Sequence, residues 1–392
     1  MKKKLVALLL ALTFALSLAA CGSSAGSKAG SSPASSVQPS DKATSTATSP
    51  VAGKKIAYVM LLPSSDIFQL FQDSVKTTAA KLGMEASVYF CDGDFNKWQD
   101  TIRTCAASGV DGLLLSHGNK DGSYDFLKQI QSEYPKLKIV TFDTQFYSNG
   151  QIQTLPGVTQ YFQQDSALAS VLLDQFKALF PDKVANKQPI KVLKVWRGPN
   201  YNSPFDRREV GYEPYEKDGT IKTVETIQPT QDTAESTSNL VAAALNKYNR
   251  GDIDCVWVAY DEYGRGVYQA ITESAKFKDL PMASVDIANS DISYMKQNPK
   301  IWVACGTTDW TMNGEIGLRM LALELANQYS DIYDPVTKQK NVAWVEVPAT
   351  AIKASDLKTD TTLENLYQVA DSSYGNKSYL STCDWLKSCI GY

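Results

Sequence analysis

Short apolar runs alternate along the chain with longer stretches in which apolar residues recur every three or four positions. Ile56-Ala57-Tyr58-Val59-Met60 is the first run and ends in the turn Leu62-Pro63-Ser64-Ser65-Asp66. The stretch after it puts Phe71, Val75, Ala79 and Leu82 on one face and stops at Gly83, as an amphipathic helix closed by glycine does. Strand patterns follow at Ala86–Phe90, Gly112–Leu115 and Ile139–Phe142, separated by helical patterns around Trp98–Ala107 and Asp125–Glu133. The cycle restarts with strands Ile190–Trp196, Thr220–Ile227, Cys255–Ala259 and Met282–Val285. Helical patterns around Arg207–Tyr215, Thr233–Tyr248 and Gly264–Lys276 lie between them. A last unit joins the apolar run Ile301–Gly306 to a helix carrying Met312, Ile316, Met320 and Leu323 on one face, with Thr308 or Asp309 able to cap it. Strands that alternate with helices predict parallel sheets with right-handed crossovers. Two such runs, with a stretch between Asn149 and Pro189 that reads as loop-rich, predict an α/β fold of two doubly wound parallel-sheet lobes.

The first 53 residues lie outside that pattern. Lys2-Lys3-Lys4 is a basic leader start, Leu5–Leu16 an apolar core, and Leu18-Ala19-Ala20-Cys21 a small-residue cleavage site ending in cysteine. That ending resembles a bacterial lipobox and implies residues 1–21 as a lipoprotein signal peptide, with Cys21 lipidated and the chain anchored outside the cytoplasm. Residues 22–53 are rich in Ser, Ala, Gly, Thr and Pro, hold little to bury, and read as a disordered tether. No later run has the length of a spanning helix.

Composition and charge narrow the function. The chain is 43% hydrophobic with a formal net charge of −3 and has no basic run beyond the leader, so nucleic acid is not an expected partner. Apart from Cys21, the cysteines are Cys91, Cys105, Cys255, Cys305, Cys383 and Cys389. An even count outside the cytoplasm permits disulfides, most readily between Cys383 and Cys389, whereas Cys255 and Cys305 also suit core positions. None has metal-site spacing, and no cofactor is expected.

The turns after the strands carry the candidate chemistry: Ser64-Ser65-Asp66, Ser116-His117-Gly118, Asp143, Arg197-Gly198, Tyr260-Asp261-Glu262, Asp286 and Thr307-Thr308-Asp309. In open α/β sheets, ligands bind beyond the carboxyl ends of the strands. Carboxylates and guanidinium groups hold vicinal hydroxyls by charge-assisted hydrogen bonds, and aromatic faces cover the apolar side of a sugar ring. An anionic ligand would call for more basic groups. His117 is the only histidine, and the chain has no G-x-S-x-G elbow or phosphate-binding loop, so an enzyme is not expected.

From Lys54 to about Leu357 the chain resembles the ribose/galactose-type periplasmic binding proteins, the substrate-capturing components of sugar ABC importers. The matching segments are Ile56-Ala57-Tyr58-Val59 with Lys81-Leu82-Gly83, Gly109-Val110-Asp111-Gly112-Leu113 and Ile139-Val140-Thr141-Phe142-Asp143. In the second half they are Asp261-Glu262, Val285-Asp286 and Gly306–Gly317. The resemblance implies two lobes joined by three crossovers and closing as a hinge, of the type I architecture. It implies lobe 1 as residues 54–159 and 309–343, and lobe 2 as residues 160–308 and 344–392. Asp143 and Asp286 would bind ligand hydroxyls, Phe68 would stack on the ring, and Thr308 would touch the ligand at the hinge. Ser65, Asp206, Arg207, Tyr260, Asp261 and Trp310 complete the candidate set. Tyr260 and Thr308 stand where the family often has Asn and Gln. The implied function is capture of a small polar ligand, a monosaccharide, by a monomer serving an ABC permease in the membrane. The alternative is a sensor presenting a sugar, nucleoside or signalling furanone to a membrane receptor.

Overall fold

The computed structural model describes residues 49–328, 344–372, 374–375 and 383–391; the expected leader, and all of the expected tether but its last residues, lie outside them. Two six-stranded sheets form the framework. The first contains β1 (Lys55–Met60), β2 (Glu85–Phe90), β3 (Gly112–Ser116), β4 (Lys138–Phe142), β7 (Val158–Gln163) and β13 (Trp344–Val347), in the order β13-β7-β4-β3-β1-β2. The short strands β5 (Phe146–Ser148) and β6 (Gln151–Gln153) make a separate hairpin. The second sheet contains β8 (Ile190–Val195), β9 (Ile221–Ile227), β10 (Cys255–Val258), β11 (Met282–Val285), β12 (Trp302–Thr307) and β14 (Thr350–Lys353), in the order β14-β12-β11-β10-β8-β9. Every ladder in the two sheets is parallel except β12 with β14.

Helices cover both faces of each sheet, so the inner strands are buried along nearly their whole length rather than alternating. On one face of the first sheet, α2 (Phe95–Ala107) and α3 (Ser123–Glu133) bury Trp98, Ile102, Phe126 and Leu127 against Leu113 and Leu115. On the other, α1 (Asp66–Lys81) and α10 (Trp310–Leu325) bury Phe71, Val75, Ile316 and Met320 with Tyr58 and Leu114. The second sheet is flanked by α4 (Asp165–Leu179), the short α5 (Pro181–Ala185), α6 (Ser203–Lys217), α7 (Ala234–Asn246), α8 (Asp261–Glu273) and α9 (Asn289–Gln297). Asp309 rather than Thr308 caps α10, its Oδ1 accepting from the Met312 amide at 3.0 Å.

Two expectations change. The stretch between Asn149 and Pro189 is not loop-rich: it holds β6, β7, α4 and α5. β7 pairs with β4 through Tyr161 and with β13 through Gln163, so the first sheet extends beyond residue 159, and β13 also belongs to that sheet. The chain therefore passes between the sheets at Gln164, at Thr308-Asp309 and at Pro348-Ala349. Cys91, Cys105, Cys255 and Cys305 are buried core residues; Cys383 precedes the last helix, α11 (Asp384–Ile390), which contains Cys389.

Candidate functional site

The carboxyl ends of both sheets meet the three crossings. β3, β4 and β11 each hand over to a residue in the left-handed region: His117 at φ 58°, Asp143 at φ 45° and Asp286 at φ 68°. Asp is among the residues that adopt this bend with least penalty, and the same break ends the ladder and starts the ligand-side loop at all three places.

A buried charge network joins these loops. Asp143, at the end of the first sheet, accepts from Gln163 Nε2 at 3.0 Å and from Arg207 Nη2 at 2.8 Å. Arg207 lies on α6 of the second lobe, so this pair spans the two lobes. Arg207 also donates through Nε to Asp165 Oδ2 at 2.9 Å. Asp165 opens α4 and holds the neighbouring Arg208 by its Nε at 2.9 Å. Arg208 in turn reaches Asp286 Oδ2 at 3.4 Å and donates to the Ala259 carbonyl. Asp143, Asp165, Arg208 and Asp286 are all buried.

Burial raises the carboxyls of Asp143 and Asp165, an effect that Arg207 opposes at both. Asp286 is pushed up to about 6 by burial, against the pull of Arg208. Burial works against the Arg208 charge as well, yet Asp286 and Asp165 hold its pKa above the ordinary value. His117, the only histidine, is driven down to about 3 by burial and then by Arg207, so it is neutral at physiological pH. Its Nε2 lies 3.8 Å from Asp143 Oδ2 and its Nδ1 is 2.7 Å from Ser116 Oγ. Two guanidinium groups are thus set among three carboxylates, and the pairs that would attract an anionic ligand are already spent.

The hinge continues the network. Thr308 Oγ1 donates to Gln163 Oε1 at 3.1 Å and accepts from Asn313 Nδ2 at 2.8 Å, which ties the first crossing to the second. Beside it stands an aromatic wall. Trp310 meets Phe68 at 5.5 Å and Phe142 at 5.9 Å between ring centroids, both edge to face, and Phe68 meets the His117 ring at 5.2 Å. Trp310 is 2% exposed, deeper than a surface lid residue. Several polar atoms remain buried with no protein partner: Arg207 Nη1, Asp286 Oδ1, Asn313 Oδ1 and Trp310 Nε1.

Of the candidates from the sequence, Phe68, Asp143, Arg207, Asp286, Thr308 and Trp310 therefore stand in one connected cluster. Asp206 lies farther out, bridged to Lys120 of the other lobe at 3.2 Å, beside a crevice of about 570 Å³. Asp261 is taken by Arg265 at 2.8 Å, which also binds Asp291, and Tyr260 packs edge to face on Tyr263. Ser65 is exposed at the start of α1 and makes no side-chain cap. Asp165, Gln163 and Asn313 were not singled out by sequence reasoning. An acidic residue opening a helix was the available signal for Asp165.

Among the described residues, no group of His, Cys, Asp or Glu suits a metal ion and no helix is long and apolar enough to cross a membrane. The fold has clear counterparts among solved structures. A sugar ABC transporter protein from Yersinia enterocolitica superposes with a TM-score of 0.69 at 24% identity, covering 86% of this chain and 95% of that one. A 5-methylthioribose transporter solute-binding protein from Thermotoga lettingae, solved with 5-methylthioribose, gives 0.68 at 22%, covering 86% and 98%. A carbohydrate transporter solute-binding protein from Agrobacterium radiobacter, solved with D-arabinose, gives 0.63 at 14%, covering 82% and 99%. At these identities the likeness establishes the fold. No curated protein matches the chain. Residues 56–328 match the periplasmic binding protein domain, and the chain belongs to that family of non-enzymatic solute-binding proteins of ABC transporters.

Proposed function

We propose that this chain captures a neutral monosaccharide between its lobes and delivers it to an ABC permease, as a lipoprotein anchored through Cys21. The observation that carries the ligand class is the pair of buried, unpartnered atoms Arg207 Nη1 and Asp286 Oδ1 on side chains otherwise held in the charge network. A buried polar atom without a partner costs roughly 1–3 kcal/mol, which a ligand supplying the bond recovers. A carboxylate oxygen accepts and a guanidinium donates, and a sugar hydroxyl can do either in return. Phe68 and Trp310 offer an apolar wall for the C–H face of a ring. The counterparts solved with 5-methylthioribose and D-arabinose support the same class.

A thermal-shift screen across pentoses, hexoses, nucleosides and amino acids identifies the ligand. One bound a thousandfold above its Kd stabilises the fold by about 4 kcal/mol. Replacing Asp143 or Asp286 by Ala should then weaken that ligand by about tenfold or more in calorimetry. Full affinity in both folded variants refutes the assignment. Loss of labelled-sugar uptake in cells lacking the chain separates import from sensing. Replacing Cys21 by Ala should abolish lipid incorporation and release the protein from membranes.

A further inference from the structure

The chain after β14 runs past the last strand of the second sheet, and its described parts touch both lobes and the hinge. It starts on the second lobe. Lys296 of α9 donates to the carbonyls of Thr359 and Thr361 at 3.0 and 2.7 Å, and the Leu363 amide donates to Asn289 Oδ1 at 2.9 Å. The 3₁₀ turn Leu363–Gln368 buries Leu363 and Leu366 in that lobe. It next reaches the crossings. Asp371 Oδ2 accepts from Thr350 Oγ1 at 2.6 Å, at the start of β14. Gly375 lies so close to Asp309, the cap of α10, that a Cβ added to it would stand 3.2 Å from Asp309 Oδ2, and Tyr374 lies within the field of the same carboxylate. It ends on the first lobe. Trp385 Nε1 donates to Gln328 Oε1 at 2.6 Å just beyond α10, Lys81 of α1 donates to the Ile390 carbonyl at 3.2 Å, and Leu386 and Ile390 are buried.

We infer that the described parts of residues 358–391 brace the hinge, adding contacts on both lobes and on the crossings that already join them. The central contacts fall on the second and third crossings together: Asp309 belongs to one and Thr350 to the other, and Thr307 pairs with Thr350 in the ladder. The first crossing is tied in by the Gln164 amide, which donates to the Val347 carbonyl at 2.9 Å. A hinge opens by changing a few backbone torsions at such crossings. Contacts that staple two of them together and dock their own ends on opposite lobes stiffen that motion. The brace therefore narrows the range of open states that the ligand-free protein samples.

Hydrogen exchange on the ligand-free full chain tests this without knowledge of the ligand. The readouts are the amides of Gln164, Thr307, Met312 and Thr350 at the crossings, against those of Leu114 and Val256 in the sheet cores. Asp371→Ala removes the central contact and Trp385→Phe removes only the hydrogen bond to Gln328, a change mild enough to keep α11 folded. Both variants should exchange at the crossing amides at least tenfold faster than the parent with the core amides unchanged. Asp371→Ala should also give a larger radius of gyration in solution scattering. Crossing amides that keep parental rates in both variants, or acceleration confined to α11, overturn the inference.

Discussion

Asp286 sets the pH response of the site. Its folded-state pKa of about 6 lies above the ordinary 3.8, so between these values the folded protein holds a proton that the unfolded chain has lost. Its contribution to the ligand-free fold is therefore favourable at low pH and is lost as pH rises through about 6. Ligand binding has the opposite dependence, because a hydroxyl donating to Asp286 Oδ1 bonds the ionised carboxylate more strongly than the neutral acid. Affinity should fall as pH drops through about 6, and calorimetry across that range should show the Asp286→Asn variant with a flat, weak profile. His117 runs the other way in stability. With a pKa lowered to about 3 it resists a proton that the unfolded chain accepts near 6.5, so its contribution is present at neutral pH and fades as pH falls below 6.5. Being the only histidine, it gives one imidazole signal. Replacing Arg207 by Ala removes a neighbouring positive charge and should move that titration upward in NMR; an unmoved titration would mean that Arg207 does not sit beside it.

At the scale of elements, the site depends on how α6 meets α4. Arg207 and Arg208 ride on α6 and Asp165 opens α4, and the two helices touch where a Cβ on Gly211 would stand 1.8 Å from the Ser166 carbonyl oxygen. No rotamer relieves a clash with backbone. Gly211→Ala should push the helices apart, costing about 1–3 kcal/mol in calorimetric unfolding, and should weaken ligand binding by loosening both arginines from Asp165. Stability loss with intact affinity would show that the arginines hold without this contact. The same region shows where the sequence was readable. The strands and helices on either side followed from periodicity because their buried residues are apolar. β7 did not, since Thr159, Gln160 and Gln163 are buried in it. Their partners are Glu324, the Thr144 carbonyl and Asp143, distant in sequence, so a buried strand reads locally as polar loop. With β7 hidden, the helix after it and Asp165 were hidden too, although Leu168, Leu172 and Phe176 carried the helical spacing. Asp143, Asp286 and Phe68 were legible because they sit beside recognisable strand ends and turns. Asp261 looked equivalent, and only the fold reveals that Arg265 has taken its carboxylate.

For the whole molecule, what matters is which contacts hold the lobes together before ligand arrives. Among the described residues, Arg207 with Asp143 and Lys120 with Asp206 are ion pairs that span them, and they are not equal. Lys120 and Asp206 are about one-fifth exposed on their side chains, so water already competes for them, and such a pair contributes about 1 kcal/mol or less. Asp143 is buried, and separating it from Arg207 leaves a carboxylate held by Gln163 alone unless water follows. Arg207 loses less on opening, because Asp165 travels with it in the same lobe. Opening therefore places its cost on Asp143, and a ligand hydroxyl bonded to that carboxylate shifts the balance toward closure only by what it gains there over the open state. Arg207→Lys keeps the charge but gives up the planar fork that reaches Asp143 and Asp165 at once. It should enlarge the ligand-free radius of gyration in solution scattering and weaken ligand by about tenfold or more. Lys120→Ala should leave the radius unchanged and alter Kd by less than about fivefold, the span of a pair worth 1 kcal/mol. Equal effects from the two substitutions would place the closing energy on the rim of the cleft instead of at Asp143.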